Sequence, residues 1–186
     1  MDDASVTVRP ARPDDVPALV RLRLANAERH VALAPEIYRL PREELVRAHF
    51  EELLAAAPDS APESPRRILI FVAELAEIAE LAEIAKPAGQ VVGMTELVLL
   101  PDPPDHQILI PRRAAEIHTV VLDGHRGNGV GAALVAATER LAAEYGIEIL
   151  YAGIFTPNAA ATRFYSAAGF GPRGTLLSKT LAPGLA

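Results

Sequence analysis

The chain has 186 residues, half of them apolar, which suits one domain with a sizeable core, and no Cys, which excludes disulfides, thiolate metal sites and a cysteine nucleophile. A formal net charge of −6 argues against nucleic acid as the main partner. Met1-Asp2-Asp3 lacks the apolar core of a secretory leader and no apolar run approaches the roughly 20 residues of a membrane span, so the expectation is a cytoplasmic protein with no membrane partner.

Val6 to Arg9 alternates like a short strand and Pro10 stops it. Pro13-Asp14-Asp15-Val16 starts a helix, with carboxylates near the positive end of its dipole, and Leu19, Val20, Leu22 and Leu24 give it an apolar stripe through about His30. A second helix is predicted from Pro41 to about Ala57, burying Leu45, Phe50, Leu53 and Leu54. Pro58 to Pro65 reads as a loop, and the apolar run Arg67 to Val72 as a buried strand. Ala73-Glu74-Leu75-Ala76-Glu77-Ile78 is then repeated almost unchanged over 79–84. Its three-residue period fits neither a strand nor an ideal helix, so residues 73–85 are expected to be an insertion at the strand end, helical in part.

Lys86 to Gln90 is a turn, Val91 to Leu100 a strong strand, and Pro101-Asp102-Pro103-Pro104-Asp105 a loop that cannot hold a ladder. Glu116 to Leu122 alternates as a strand, Gly129 to Tyr145 is a helix ended near Gly146, and Glu148 to Phe155 is strand-like. Asn158 caps a helix reaching about Ala168, with Gly169 beyond it, and Leu176 to Leu181 is a last strand. The order β-α-α-β-β-β-α-β-α-β predicts a single mixed α/β domain over 1–186 with no linker.

The run Val121-Leu122-Asp123-Gly124-His125-Arg126-Gly127-Asn128-Gly129-Val130-Gly131 joins the end of a strand to the start of a helix. Glycines let backbone N–H groups approach an anion, and the helix start adds unpaired N–H groups and the positive dipole end. That is a pyrophosphate cradle by construction, although the same residues would also serve a plain turn. A dinucleotide fold would need an acidic residue about 20 positions on, closing the next strand. Tyr151-Ala152-Gly153-Ile154-Phe155 offers none.

Arg126-Gly127-Asn128-Gly129-Val130-Gly131 and, downstream, Asn158-Ala159-Ala160-Ala161-Thr162-Arg163-Phe164-Tyr165-Ser166-Ala167-Ala168-Gly169-Phe170 resemble the two signature motifs of the GCN5-related N-acetyltransferases (GNAT family). The resemblance implies a mixed, mostly antiparallel twisted sheet flanked by helices. It also implies acetyl-CoA as co-substrate, with no metal. By the same resemblance the backbone from Gly127 through Asn128, Gly129 and Val130 to Gly131 holds the pyrophosphate, with Arg126 in support. Val121, and Thr119 with it, pairs its backbone with the pantetheine arm, and Asn158 touches the cofactor besides capping its helix. Tyr165 matches the acid that protonates the departing thiolate, a role a phenol near pKa 10 suits; the alternative is simple packing beside Phe164 and Phe170. Glu116 is the expected base, with His118 two residues on and on the same strand face as the second choice. His30, Glu36 and Tyr38 in the first helix connection, and Asp102, Asp105, Arg112 and Arg113 in the later loop, are candidates for meeting the acceptor.

The resulting expectation is an N-acetyltransferase acting on a primary amine, small-molecule or peptide, by direct transfer in a ternary complex. With no Cys and no evident activated Ser, an acyl-enzyme has no nucleophile. A homodimer stays open. The alternative from another class is a non-catalytic acyl-CoA-binding sensor or interaction module, which would need the glycine loop but no proton-transfer residues.

Overall fold

The computed structural model describes residues 6–55, 67–75, 89–106, 108 and 110–179. The elements among them are β1 (Val6–Pro10), a 3-10 turn (Pro13–Asp15), α1 (Val16–Leu33), α2 (Glu43–Ala55), β2 (Arg67–Leu75), β3 (Gln90–Leu99), β4 (Ala114–Val121), α3 (Val130–Glu144), β5 (Ile149–Tyr151) and α4 (Ala159–Ala167). The strands form one sheet in chain order, antiparallel throughout except for the parallel β4–β5 pair. The mixed, mostly antiparallel sheet flanked by helices is therefore the observed fold class.

Alternation along the strands sends side chains to two helical layers. Val72, Val91, Met94 and Val120 pack with Leu19, Leu22 and Phe50 of α1 and α2. On the opposite face Val92, Leu97, Ala115 and Ile117 meet α3 and Tyr165 of α4. The register between β2 and β3 slips at Ala73/Glu74, which pair with Gly93 and Val91 and leave Val92 as the extra residue of a bulge. Gly93 belongs there: a Cβ on it would stand 3.0 Å from Leu134 Cδ1 and 3.1 Å from Val130 Cγ1. This close approach lets α3 lie directly on the sheet. β4 keeps an unbroken register with β3 from Ala115 to Val121, so its odd residues face α3 and α4 and its even residues face α1 and α2.

The pairing between β4 and β5 ends early. It runs only from Ala114↔Ile149 to Glu116↔Tyr151, while β4 continues to Val121 with β3 alone. From Ile117 onward the outer edge of β4 therefore lies open to one side of the sheet.

Several boundaries differ from the sequence expectation. β2 continues through Ala73 to Leu75, so the first residues of the repeat are strand; residues 76–85 lie outside the described residues, as does the predicted loop at 58–65. Val46, not Leu45, is buried on α2, because the helix starts at Glu43 and its buried face is rotated by one position. β5 is three residues rather than eight. Residues 171–179 carry no strand, although one was expected from Leu176. The short β5 offers little ladder to pair with, and Leu176 and Leu177 stay exposed.

Candidate active site

α3 begins with Val130 after Gly129, which sits in the left-handed region at φ 78°, as does Gly127 at φ 80°. A side chain at either position would meet nothing within 4 Å, so these glycines are required by backbone conformation, and the space in front of them is open. No side chain caps the helix start, and the first intrahelical bond here is Ala133 N–H to Gly129 C=O at 2.9 Å. The preceding N–H groups thus have donors to offer an anion. Gly131 has a different reason to be glycine. A Cβ there would lie 2.8 Å from Phe164 Cε2, so its absence lets α3 and α4 meet at the loop. Asn128 is exposed between the two left-handed glycines.

α4 is capped as expected, with Asn158 Oδ1 accepting from Ala161 N–H at 3.1 Å. Asn158 thus has a structural task whatever else it does. The helix carries Tyr165 inward, buried against Ile117 and Val135, with ring centroids 4.9 Å from Phe164 and 5.2 Å from Phe170. Its hydroxyl reaches the open edge of β4 and accepts from Thr119 N–H at 3.1 Å. The packing role and the edge contact coexist in the same residue. Since the phenol oxygen accepts from the backbone, its own proton remains available to a group lying along the edge. Thr119 also places its hydroxyl 3.3 Å from that of buried Thr95 across the sheet.

Two residues further, the Val121 carbonyl accepts from Arg126 Nε at 3.2 Å and from Arg29 Nη1 at 3.3 Å. Leu122 N–H donates to Val92 on β3, so Val121 turns its own groups to the outer edge by alternation. Asp123 Oδ1 lies 3.1 Å from Arg29 and 3.4 Å from Arg126. Burial lowers the pKa of Arg29, and the neighbouring charge of Arg126 adds to the effect. Nothing near Arg29 in the sequence marks it, because its partners are some 92 residues away along the chain.

Glu116 and His118 share the α1/α2 face of β4, with His118 Nε2 3.8 Å from Glu116 Oε2 and both side chains partly exposed. Glu116 occupies the last position paired with β5, at the vertex of the opening. On the same face Glu96 is buried and paired with Arg23, whose guanidinium stands over Phe50. His30, in the last turn of α1 rather than in the helix connection where it was expected, and Tyr38 from the α1–α2 connection form an edge-to-face row with Phe155, which follows β5, at 4.9 and 5.3 Å. Through Phe155 they border the opening, and Glu36 is exposed in the α1–α2 connection. Arg113 is not brought to it. It is held by Asp102 at 3.2 Å and by Tyr145 C=O, at the far end of β4 and the C-terminus of α3. Asp105 and Arg112 are exposed in that same loop.

Among the described residues no three His, Asp or Glu side chains gather as a metal site, and no helix is long and apolar enough to cross a membrane. Residues 36–170 match the model of the Acetyltransferase (GNAT) family. No curated protein matches the chain. Among solved structures it is similar to a tetramutant of the BH1408 protein from Bacillus halodurans, with a TM-score of 0.73, 18% identity, and 94% of this chain and 99% of that one covered. It is also similar to AAC(6')-Iy in complex with the bisubstrate analogue CoA-S-monomethyl-acetylneamine, with a TM-score of 0.63, 17% identity, and coverage of 96% and 99%. A third similar structure is the aminoglycoside acetyltransferase meta-AAC0020 from an uncultured soil metagenomic sample, in complex with sisomicin. It has a TM-score of 0.56, 18% identity, and coverage of 95% and 97%. At these identities the likeness speaks to the fold.

Proposed function

The chain belongs to the acetyltransferase (GNAT) family, and from that premise we propose that it moves an acetyl group from acetyl-CoA to a primary amine by direct transfer in a ternary complex. The Tyr165 hydroxyl carries this reading: it sits on the open edge of β4 beside the glycine loop, bonded to Thr119 N–H and with its proton free. The N–H groups from Gly127 to Gly131 would hold the pyrophosphate, and open space in front of Gly127 and Gly129 fits that task. Asn158, whose Oδ1 already caps α4, would add a contact to the cofactor only through its remaining amide group.

Acetyl-CoA supplies the thioester, whose carbonyl carbon gains a bond to the amine nitrogen as its carbon–sulfur bond breaks. Tyr165 delivers its hydroxyl proton to the departing sulfur. Glu116, with His118 beside it, takes the proton lost by the amine, directly or through one water, and passes it to solvent, from which the Tyr165 phenolate regains its own. No residue need be acylated, in keeping with a chain that has no Cys.

A small cationic amine is the acceptor class we favour over a peptide. Glu116 stands at the vertex of the opening and attracts a cation, and two of the similar structures are named as aminoglycoside acetyltransferases. Acetyl-CoA at about a hundred times its dissociation constant should raise the melting temperature by roughly 5–10 °C, since a ligand of the native state alone stabilises it by about 2.7 kcal/mol. No shift at millimolar acetyl-CoA would overturn the cofactor assignment. Thiol release across a panel of polyamines, aminoglycosides and peptides then identifies the acceptor. A melting shift with no thiol release on any amine would favour the non-catalytic acyl-CoA-binding module instead.

A further inference from the structure

The two guanidinium groups at the end of β4 have poor partners for their position. Arg29, from α1, and Arg126, from the loop, share one backbone carbonyl and one carboxylate, at distances of 3.1 to 3.4 Å, the long end of the hydrogen-bond range. The carboxylate is that of Asp123, whose side chain is 76% exposed, so solvent screens much of its attraction. Arg29 is only 22% exposed and faces a like charge. A multiply charged anion held by the neighbouring cradle would be a stronger partner for both.

The carbonyl they occupy is itself useful. Val121 C=O is the acceptor on the open edge of β4 that comes two residues after Thr119, where an extended amide-bearing chain would add to the sheet. We propose that Arg29 and Arg126 form a latch: they cap the Val121 carbonyl as seen here, and a diphosphate at the cradle draws them off it, releasing that carbonyl to the amide of the arm that bears the thioester. This rests on the acyl-CoA reading above. Arg29 is then a positioning residue that makes the nucleotide end of the ligand prepare the site for the other end.

The latch predicts effects of opposite sign on two ligands. In Arg29→Ala, acetyl-CoA loses a charged phosphate partner and should bind roughly tenfold more weakly. S-acetylpantetheine, which lacks the nucleotide, then competes for Val121 with one guanidinium instead of two and should bind a few-fold more tightly. Isothermal titration reads the first affinity and ligand-observed NMR the second, with Arg29→Lys expected to restore part of the acetyl-CoA loss. If Arg29→Ala does not fold, Arg126→Ala, in an exposed loop, carries the same opposite-sign expectation. Only movement in opposite directions sustains the latch, so equal weakening, no change, or a change in acetyl-CoA alone overturns it. A wild-type protein that binds neither ligand overturns the acyl-CoA reading itself, which separates the two failures.

Discussion

Tyr165 shows how one side chain holds a structural and a chemical position together. Its ring is part of the packing between β4 and α4, while only the hydroxyl emerges at the strand edge. Replacing it with Phe keeps the ring and removes the proton. Turnover of Tyr165→Phe should therefore fall by about 10²–10⁴, the usual range for a lost general acid, with acetyl-CoA affinity within a factor of about two of wild type. Measured side by side, Glu116→Gln should lower turnover while raising its dependence on added buffer base, because the amide cannot take up the proton that the amine loses. Unchanged turnover in either variant removes that residue from its role. Asn158 differs from these: its oxygen is spent on the cap of α4, and that task explains its presence without a ligand.

At the scale of elements, the start of α3 is constrained in two unlike ways. Gly127 and Gly129 need left-handed backbone but have no crowding neighbour, whereas Gly131 has ordinary helical backbone and a ring of Phe164 against it. Gly129→Ala should then cost about 1–2 kcal/mol in urea unfolding, the price of a left-handed L-residue, with no change in slope. A variant as stable as wild type would mean that the loop adopts another conformation. β4 and β5 supply the complementary element. Because their pairing stops at Glu116, the backbone groups of Ile117, Thr119 and Val121 are free for side chains and ligands instead of a strand.

Across the whole molecule, β1 is tied to the start of α1 and to β2 by one arginine. Arg9 donates to both oxygens of Asp15, at 2.7 and 2.9 Å, and to Glu74 of β2. Burial raises the carboxyl of Asp15, but the guanidinium of Arg9 and the Arg12 N–H, 2.7 Å away, hold it below the usual carboxylate range overall. A carboxyl lowered in the folded state stabilises fully above its unfolded pKa of about 3.9, and the contribution is lost as pH falls through the folded value. Asp15→Asn should thus lose roughly 1–3 kcal/mol at neutral pH and show a smaller fall in stability than wild type as pH drops below about 4. Parallel acid-unfolding curves for the two proteins would remove Asp15 from that role.

Much of this was legible in the chain because it depends on neighbours in sequence. The helix starts at Asn158 and after Gly129, the stops at Gly146 and Gly169, and the alternation of β4 follow from local backbone preference and periodicity, and all appear in the structure. The family motifs are local in the same sense, which is why the glycine loop and Tyr165 could be named from the sequence. What the sequence could not determine depends on distant segments meeting. The length of β5 and the fate of residues 171–179 depend on whether a ladder partner exists, and that is a property of the assembled sheet. Arg29 reaches Val121 and Asp123 only when α1 lies across the end of β4, and Arg113 is claimed by α3 rather than left at the opening. Local conformation obeys short-range sterics and hydrogen bonding, so the residues themselves specify it. Which charges face one another is decided only when packing brings distant elements within a few ångströms.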